Sequence, residues 1–305
     1  MRDAGVLIVV AALLIGYFAV AADQFFSLAT LQVIAAQVPA ALLLATAVTI
    51  VMLAGGIDLS VGSVLGLSGA VLGYTLIVLQ WPLPLATLAC LAAGLACGAF
   101  NGAATVIFRV PSFIVTLAML EIARALTFLL TSSRTLYIGS AVEGLSAAAV
   151  AGVSVAFIVA IAIVILVELV IRRSVFGRRI VAVGDNPRAA WAAGVDPRPV
   201  QAATFALSGL LAAIAAVVHT SRLASADPNA GTGFELQAIA AAVIGGTSLL
   251  GGRGSAVQSA LGALLIAILA TGLAQIGASD ATKRLVTGIV ILCAVVIDAS
   301  RHRDR

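Results

Sequence analysis

The chain alternates between long apolar runs and short polar breaks. The runs cover about residues 4–22, 33–54, 60–79, 83–108, 111–131, 150–171, 200–221, 235–250, 255–276 and 284–299. A helix needs roughly 20 apolar residues to cross a bilayer, so each run is predicted to be a transmembrane helix. The eighth and tenth hold about sixteen residues each and could be tilted or re-entrant, which gives eight to ten spans. Turn and interface residues fill the breaks: Gly55-Gly56, Gln80-Trp81-Pro82, Arg109-Val110-Pro111, Asp227-Pro228-Asn229 and Gly251-Gly252-Arg253-Gly254. The expected architecture is an all-α polytopic bundle, with residues 1–305 forming one transmembrane domain.

Charge placement selects the count of ten. With ten spans and both termini cytoplasmic, twelve arginines fall inside: Arg2, Arg109, Arg172, Arg173, Arg178, Arg179, Arg188, Arg198, Arg253, Arg301, Arg303 and Arg305. Arg134, Arg222, Lys283 and Arg284 fall outside, the bias that the positive-inside rule describes. A re-entrant eighth run would move Lys283 and Arg284 inside but expel the three C-terminal arginines. The first run is apolar for longer than the roughly 7–15 residues of a signal-peptide core, so it is expected to remain as a span.

Composition removes whole function classes. The chain is 62% apolar and 10% charged, with mean hydropathy +1.18, against about 25% charged residues in a soluble domain. Soluble enzymes, nucleic-acid binders and disordered scaffolds are excluded. Cys90, Cys97 and Cys293 lie in apolar runs without a CxxC pair, and His219 and His302 are isolated. Neither a disulfide framework nor a metal site is expected.

Several residues are unusual for membrane depth. Gly62/Gly66, Gly69/Gly73 and Gly94/Gly98/Gly102 have the small-residue spacing that brings helix backbones together in lipid. Ionisable groups at that depth cost roughly 2.5–3.5 kcal/mol on insertion scales. Glu121 and Arg124, three apart, fit either a mutually neutralising pair or the lining of a hydrated path. Asp58 and Ser60 follow Gly55-Gly56 and fit either a cap on the third helix or a helix break beside a substrate path. Asn101 is expected to bond between helices, with ligand contact as the alternative.

The longest polar stretch, 172–199, is organised. Arg172, Arg173, Arg178 and Arg179 flank Phe176-Gly177, and Gly184-Asp185-Asn186-Pro187 follows. Asn186 suits an N-cap and Pro187 the first helical position. Arg188 to Ala193 is helix-forming, and Gly194 supplies a stop. Two turns are marginal alone in water, so this helix is expected to pack against its own bundle or dock on another protein.

Four stretches resemble the ribose/xylose/arabinose-type permeases of bacterial ATP-binding cassette importers. They are Gly55 to Ser63, Val110 to Leu117, Gly177 to Ala190, and Gly233 to Gly254, in the expected order. The resemblance implies a membrane bundle paired with a second permease copy or a paralogue, in the bacterial inner membrane. Cytosolic ATPase subunits would bind ATP and Mg²⁺ below, this chain would bind no cofactor, and a periplasmic or extracellular sugar-binding protein would deliver a monosaccharide. It further implies that Arg178, Arg179, Gly184, Asp185, Asn186, Pro187, Ala189, Ala190 and Gly194 couple to the ATPase. The 222–233 loop, with Arg222, Asp227 and Asn229, would face the binding protein. Departures at Thr271, at Ala47-Val48 and at Trp191-Ala192-Ala193 leave the sugar open.

One negative agrees independently. A phosphate-binding P-loop needs Gly-Lys-Ser/Thr, but the only lysine, Lys283, lies between Thr282 and Arg284. An ion-driven secondary transporter would instead show inverted repeats and a midplane carboxylate, and the halves show no convincing repeat. A prenyltransferase would need clustered aspartates for Mg²⁺–pyrophosphate, and no two carboxylates lie within five residues of each other.

Overall fold

A computed structural model describes residues 2–292, except 23, 24, 140, 141, 147, 151, 152, 280, 284 and 291. The helices are α1 (Arg2–Ala21), α2 (Leu28–Leu53), α3 (Val61–Ile77), α4 (Leu83–Phe108), α5 (Ser112–Thr131), α6 (Glu143–Ser146), α7 (Val155–Arg173), α8 (Val175–Asp185), α9 (Pro187–Ala192), α10 (Pro197–Leu223), α11 (Phe234–Ile244) and α12 (Ala256–Gln275). Among the described residues, α2, α4, α5, α7, α10 and α12 are long and apolar enough to cross a membrane, while α3, α11 and part of α1 are shorter apolar helices. Residues 285–290 are helical too. The rest of the tenth expected run, with Cys293, His302 and the last three arginines, lies outside the described residues.

The core is built around α2 and α10, which bury most of their residues, while α4, α5 and α7 turn most of theirs outward. Outward-facing Leu88, Phe100, Ile165 and Leu166 are the expected surface of a protein solvated by lipid. Small residues set the spacing within. Gly94, Gly98 and Gly102 of α4 lie directly on the backbone of α10, and a methyl group on Gly94 would stand 2.5 Å from the Gly209 carbonyl. On the other side of the core, Gly272 of α12 receives the Phe18 ring of α1.

The fold departs from the sequence expectation in four places. Two short ribbons interrupt the all-α pattern: β1 (Leu136–Tyr137) pairs antiparallel with β4 (Ser225–Ala226), and β2 (Ala148–Val150) with β3 (Val153–Ser154). The sixth span therefore starts at Val155 instead of residue 150, with the Ser154 hydroxyl accepting the Phe157 N–H at 3.2 Å. A helix stands at α8, where only α9 was expected. Its buried stripe of Gly177, Ile180, Val183 and Gly184 follows helical spacing. The eighth run holds a helix of only 11 residues, about 16 Å long against a hydrocarbon core of about 30 Å.

Glu168, near the end of α7, is a buried carboxylate that the apolar-run reading passes over. It pairs with Arg172 and accepts from the Ser255 hydroxyl at 2.9 Å and the Ala256 N–H at 2.7 Å. The first turn of α12 has N–H groups without intrahelical partners and a positive dipole end, and Glu168 answers both from another helix. Glu168→Ala is expected to remove about 1–3 kcal/mol and lower the melting temperature of the detergent-purified protein. An unchanged melting curve would show that this tie is not structural.

Candidate functional site

The four family-like stretches are scattered through the sequence but meet around one helix break. α2 ends in a Schellman closure: Gly55 N–H bonds to Met52 O at 2.9 Å, and Gly56 N–H to Val51 O at 3.0 Å. Gly55 takes φ +79°, which a residue without Cβ adopts freely. Residues 57–59 then make no helical backbone bond before α3 begins. Their backbone groups are met from outside. Ser112 of α5 accepts the Ile57 N–H at 3.0 Å, and Thr116, one turn on, accepts the Leu59 N–H at 3.1 Å and donates to Ile57 O. Leu53 O accepts from Gly252 N–H at 3.1 Å, and Ala54 O accepts from the Gln201 amide.

Asp58 is at the centre of this break and 1% exposed. One oxygen accepts from the Ser60 N–H at 2.9 Å and the Ser60 hydroxyl at 2.7 Å; the other accepts from Ser208 of α10 at 2.8 Å. The Asn101 side-chain amide of α4 donates to Ser60 Oγ at 2.9 Å. Asp58, Ser60 and Asn101 thus form one buried network tying α3, α4 and α10. Ser60 stands at the N-cap position but makes no side-chain cap. Asp58 instead supports the entry to α3 by holding the Ser60 backbone. The Asn101 carbonyl oxygen, like Ser63 Oγ of α3, is buried with no hydrogen-bond partner among the described residues.

A second break faces the first. After α10, Ala226 of β4 lies on Gly73 of α3, the Ala230 carbonyl on Gly66, and Gly231 on Gly62. The chain therefore follows the glycine face of α3 through a series of turns until α11 begins. Gly231 and Gly233, at φ +75° and +82°, make the turn into that helix. Helices α3 and α11 start side by side and lead away from each other. The far end of α11 reaches a loop where Gly252 meets Leu53 and Asp185. The short helix and the turns that follow it, residues 245–250, account for the eighth run, and the segment before α11 lies ahead of that run. Arg222 and Asn229 are exposed, and Asp227 holds the Asn229 N–H at 2.8 Å.

Glu121 and Arg124 are not a neutralising pair. The one ion pair among the described residues joins Arg172 to Glu168. Arg124 donates instead to the Ala230 carbonyl at 2.9 Å, pinning the descending segment to α5, and Glu121 is exposed. Glu235 brings its Oε2 against Gly62 with no hydrogen-bond partner among the described residues.

At the end where α2 stops, α8 and α9 project from the bundle. Ser174 accepts the Gly177 N–H at 2.9 Å to start α8. Asn186 accepts the Arg188 and Ala189 N–H groups at 3.1 and 3.0 Å to start α9, with Pro187 at its first position. Gly194, at φ +83°, ends it. Of the α9 residues only Ala190 is buried; Arg178, Arg179, Asp185 and Ala189 are exposed. Gly184 is wedged against the Leu53 carbonyl and Gly252, so α8 connects directly to the lip of the first break. Beside α9 opens a cleft of about 630 Å³ lined by Arg109, Arg188, Arg198, Trp191 and Asp196 and floored by Gly55 and Gly56. Three arginines and one aspartate are thus among its lining residues. Among the described residues no three His, Cys, Asp or Glu side chains converge.

A polytopic helical protein with two facing helix breaks and a projecting helix pair is built as a transport subunit, and comparison with known proteins agrees. Residues 30–295 match the family described as branched-chain amino acid transport system / permease component. The chain is 34% identical to the ribose import permease protein RbsC of Escherichia coli (strain K12) over 294 residues, 95% of this chain and 91% of that one. It is 34% identical to the fructose import permease protein FrcC of Rhizobium meliloti, covering 96% and 84%. Against the autoinducer 2 import system permease protein LsrC of Photorhabdus luminescens it is 31% identical, covering 93% and 86%. No solved structure matches. The chain belongs to this permease family.

The Asp58 network generates a direct test. Asp58→Asn replaces one acceptor oxygen with a donor facing hydroxyl groups, and is expected to cost about 1–3 kcal/mol. The readout is the midpoint of thermal unfolding, with Ser208→Ala as a smaller perturbation of the same network. Full stability in Asp58→Asn, combined with lost uptake, would move Asp58 from scaffold to path.

Proposed function

We propose that this chain is the membrane-spanning permease subunit of an ATP-binding cassette importer that carries a monosaccharide or a related polar solute into the cell. In this reading it crosses the bacterial inner membrane ten times with both termini cytosolic, and works beside a second permease copy or a paralogue. Separate ATPase subunits bind ATP and Mg²⁺ at the α8–α9 end, and a soluble sugar-binding protein docks at the opposite end near Arg222, Asp227 and Asn229. The whole-length likeness to ribose and fructose import permeases supports the class of solute.

The observation that carries the reading is the connection from α9 through α8 to the helix break. α9 is exposed except for Ala190, as a docking element must be. Its neighbour α8 is packed so closely at Gly184 that a side chain there would collide with Leu53 and Gly252. Close-packed interiors transmit displacement, so movement of a docked ATPase reaches the 54–60 segment through backbone contact. Binding of ATP and of the loaded binding protein can shift the bundle only by favouring one arrangement over the other. The permease then needs a weakly binding path, because a tight site would retain the sugar.

A pull-down of the tagged chain from native membranes is expected to recover a P-loop ATPase in roughly equal amount. An ATPase-free permease that still transports would instead favour an ion-driven carrier. Ala189→Asp, on the exposed face of α9, is expected to lower uptake about 5- to 150-fold, the usual range of coupling between sites, with expression intact and ATP hydrolysis no longer linked to transport. Asn229→Lys is expected to weaken stimulation of ATP hydrolysis by the binding protein. Unchanged stimulation would place that docking surface elsewhere.

A further inference from the structure

The basic end of α7 stands beside the loop that opens α12. α7 holds 19 residues, about 28 Å of helix against a hydrocarbon core of about 30 Å. Its last turn, with Arg172 and Arg173, is therefore at headgroup level. Arg178 follows on α8. Gly252 lies on the backbone of Asp185, which brings Arg253 to the same place. Between these elements opens a cleft of about 450 Å³, lined by Ile171, Arg178, Asp185 and Arg253 among others. It shares no lining residue with the cleft beside α9.

Charge in this cleft is not balanced. Arg172 is bonded to Glu168 through Nε, and that pair is neutral. Among the described residues neither Arg178 nor Arg253 has an ion-pair partner, and both are exposed. Asp185 is the one carboxylate among the lining residues. Two guanidinium groups against one carboxylate leave positive charge at the depth where lipid phosphates lie. The surface leading into the membrane from there is apolar. Taken from Arg172 at helical spacing, the outward positions of α7 are Leu169, Ile165 and Ile161; past Arg253, those of α12 are Val257 and Leu261. Both helices pack on α2, and both stripes start from the same arginines.

We propose that this cleft binds the headgroup of an anionic phospholipid, with Arg178 and Arg253 donating to its phosphate and its acyl chains lying along the outward stripes of α7 and α12. A guanidinium offers a phosphate two parallel N–H donors, and basic pockets between membrane helices suit such headgroups. An acidic protein segment would answer the charge but not the apolar stripes, which lie at hydrocarbon depth. A lipid so placed touches α7, α8 and the loop before α12 at once. Those are the elements that Glu168 and Gly184 already join. The site needs only that the chain crosses a membrane, and stands whether or not an ATPase drives transport.

The tagged chain, purified from native membranes with its co-purifying subunits and delipidated in detergent, is titrated with phosphatidylglycerol or phosphatidylcholine. Bound lipid is counted by native mass spectrometry. One phosphatidylglycerol per chain is expected to be retained in preference to phosphatidylcholine. Arg253→Gln and Arg178→Gln are each expected to weaken that retention about fivefold, the effect of one basic residue at an anionic surface, and Arg253→Lys to restore most of it. Arg198→Gln, which removes the same charge from the other cleft, is expected to leave retention unchanged. Equal retention of the two lipids would overturn the anionic site. An equal loss in Arg198→Gln would make the preference a property of the whole basic face and overturn the cleft. Displacement by inorganic phosphate at the same concentration would leave a free-anion site without acyl-chain contacts. Binding that appears only after the co-purifying subunits are stripped would show that protein, not lipid, covers the cleft. The same spectra report whether an ATPase is bound, so failure of the importer reading is seen separately from failure of this one.

Discussion

Everything in this bundle is organised by the need to satisfy the backbone of residues 54–60 away from water. A helix satisfies its own N–H and C=O groups, but an interrupted helix inside a membrane does not, and each unmet group is costly. Here partners come from three other segments, Ser112 and Thr116 on α5, Gln201 on α10 and Gly252 in the loop before α12, while Asp58 within the break folds back on Ser60. Those partners are why the stretches shared with import permeases converge. None of them could shift independently without stranding a polar group.

Close approach is the second requirement, and glycine meets it. Gly184 lies on the Leu53 carbonyl, and α3 offers Gly62, Gly66 and Gly73 to a descending chain that no side chain could admit. In lipid, where hydrophobic association between helices is weak, such contacts and the hydrogen bonds they permit hold the pieces together. They also make the assembly stiff. Gly184 of α8 leaves no room for a side chain against Leu53 and Gly252 at the break, while the outer helices α4, α5 and α7 present mostly apolar side chains outward.

Apolar runs and capping residues act locally, so the membrane class, the main helices and many of their ends could be read from the chain alone. The Asn186-Pro187 start and Gly194 stop of α9, the two-glycine end of α2 and the small-residue face of α4 were legible for that reason. Features that depend on distant partners emerged only in the folded chain. Hydropathy counts residues 235–250 as one apolar run whether or not they are helical throughout, so the half-length α11 was hidden. Spacing put Glu121 and Arg124 on one helix face but could not show that Ala230, 106 residues away, takes the arginine. Glu168 reads as an isolated charge near a helix end until α12 brings its unpaired N–H groups to it. Local chemistry sets which segments become helices; satisfying the backbone where those helices stop is a long-range problem that only tertiary packing solves.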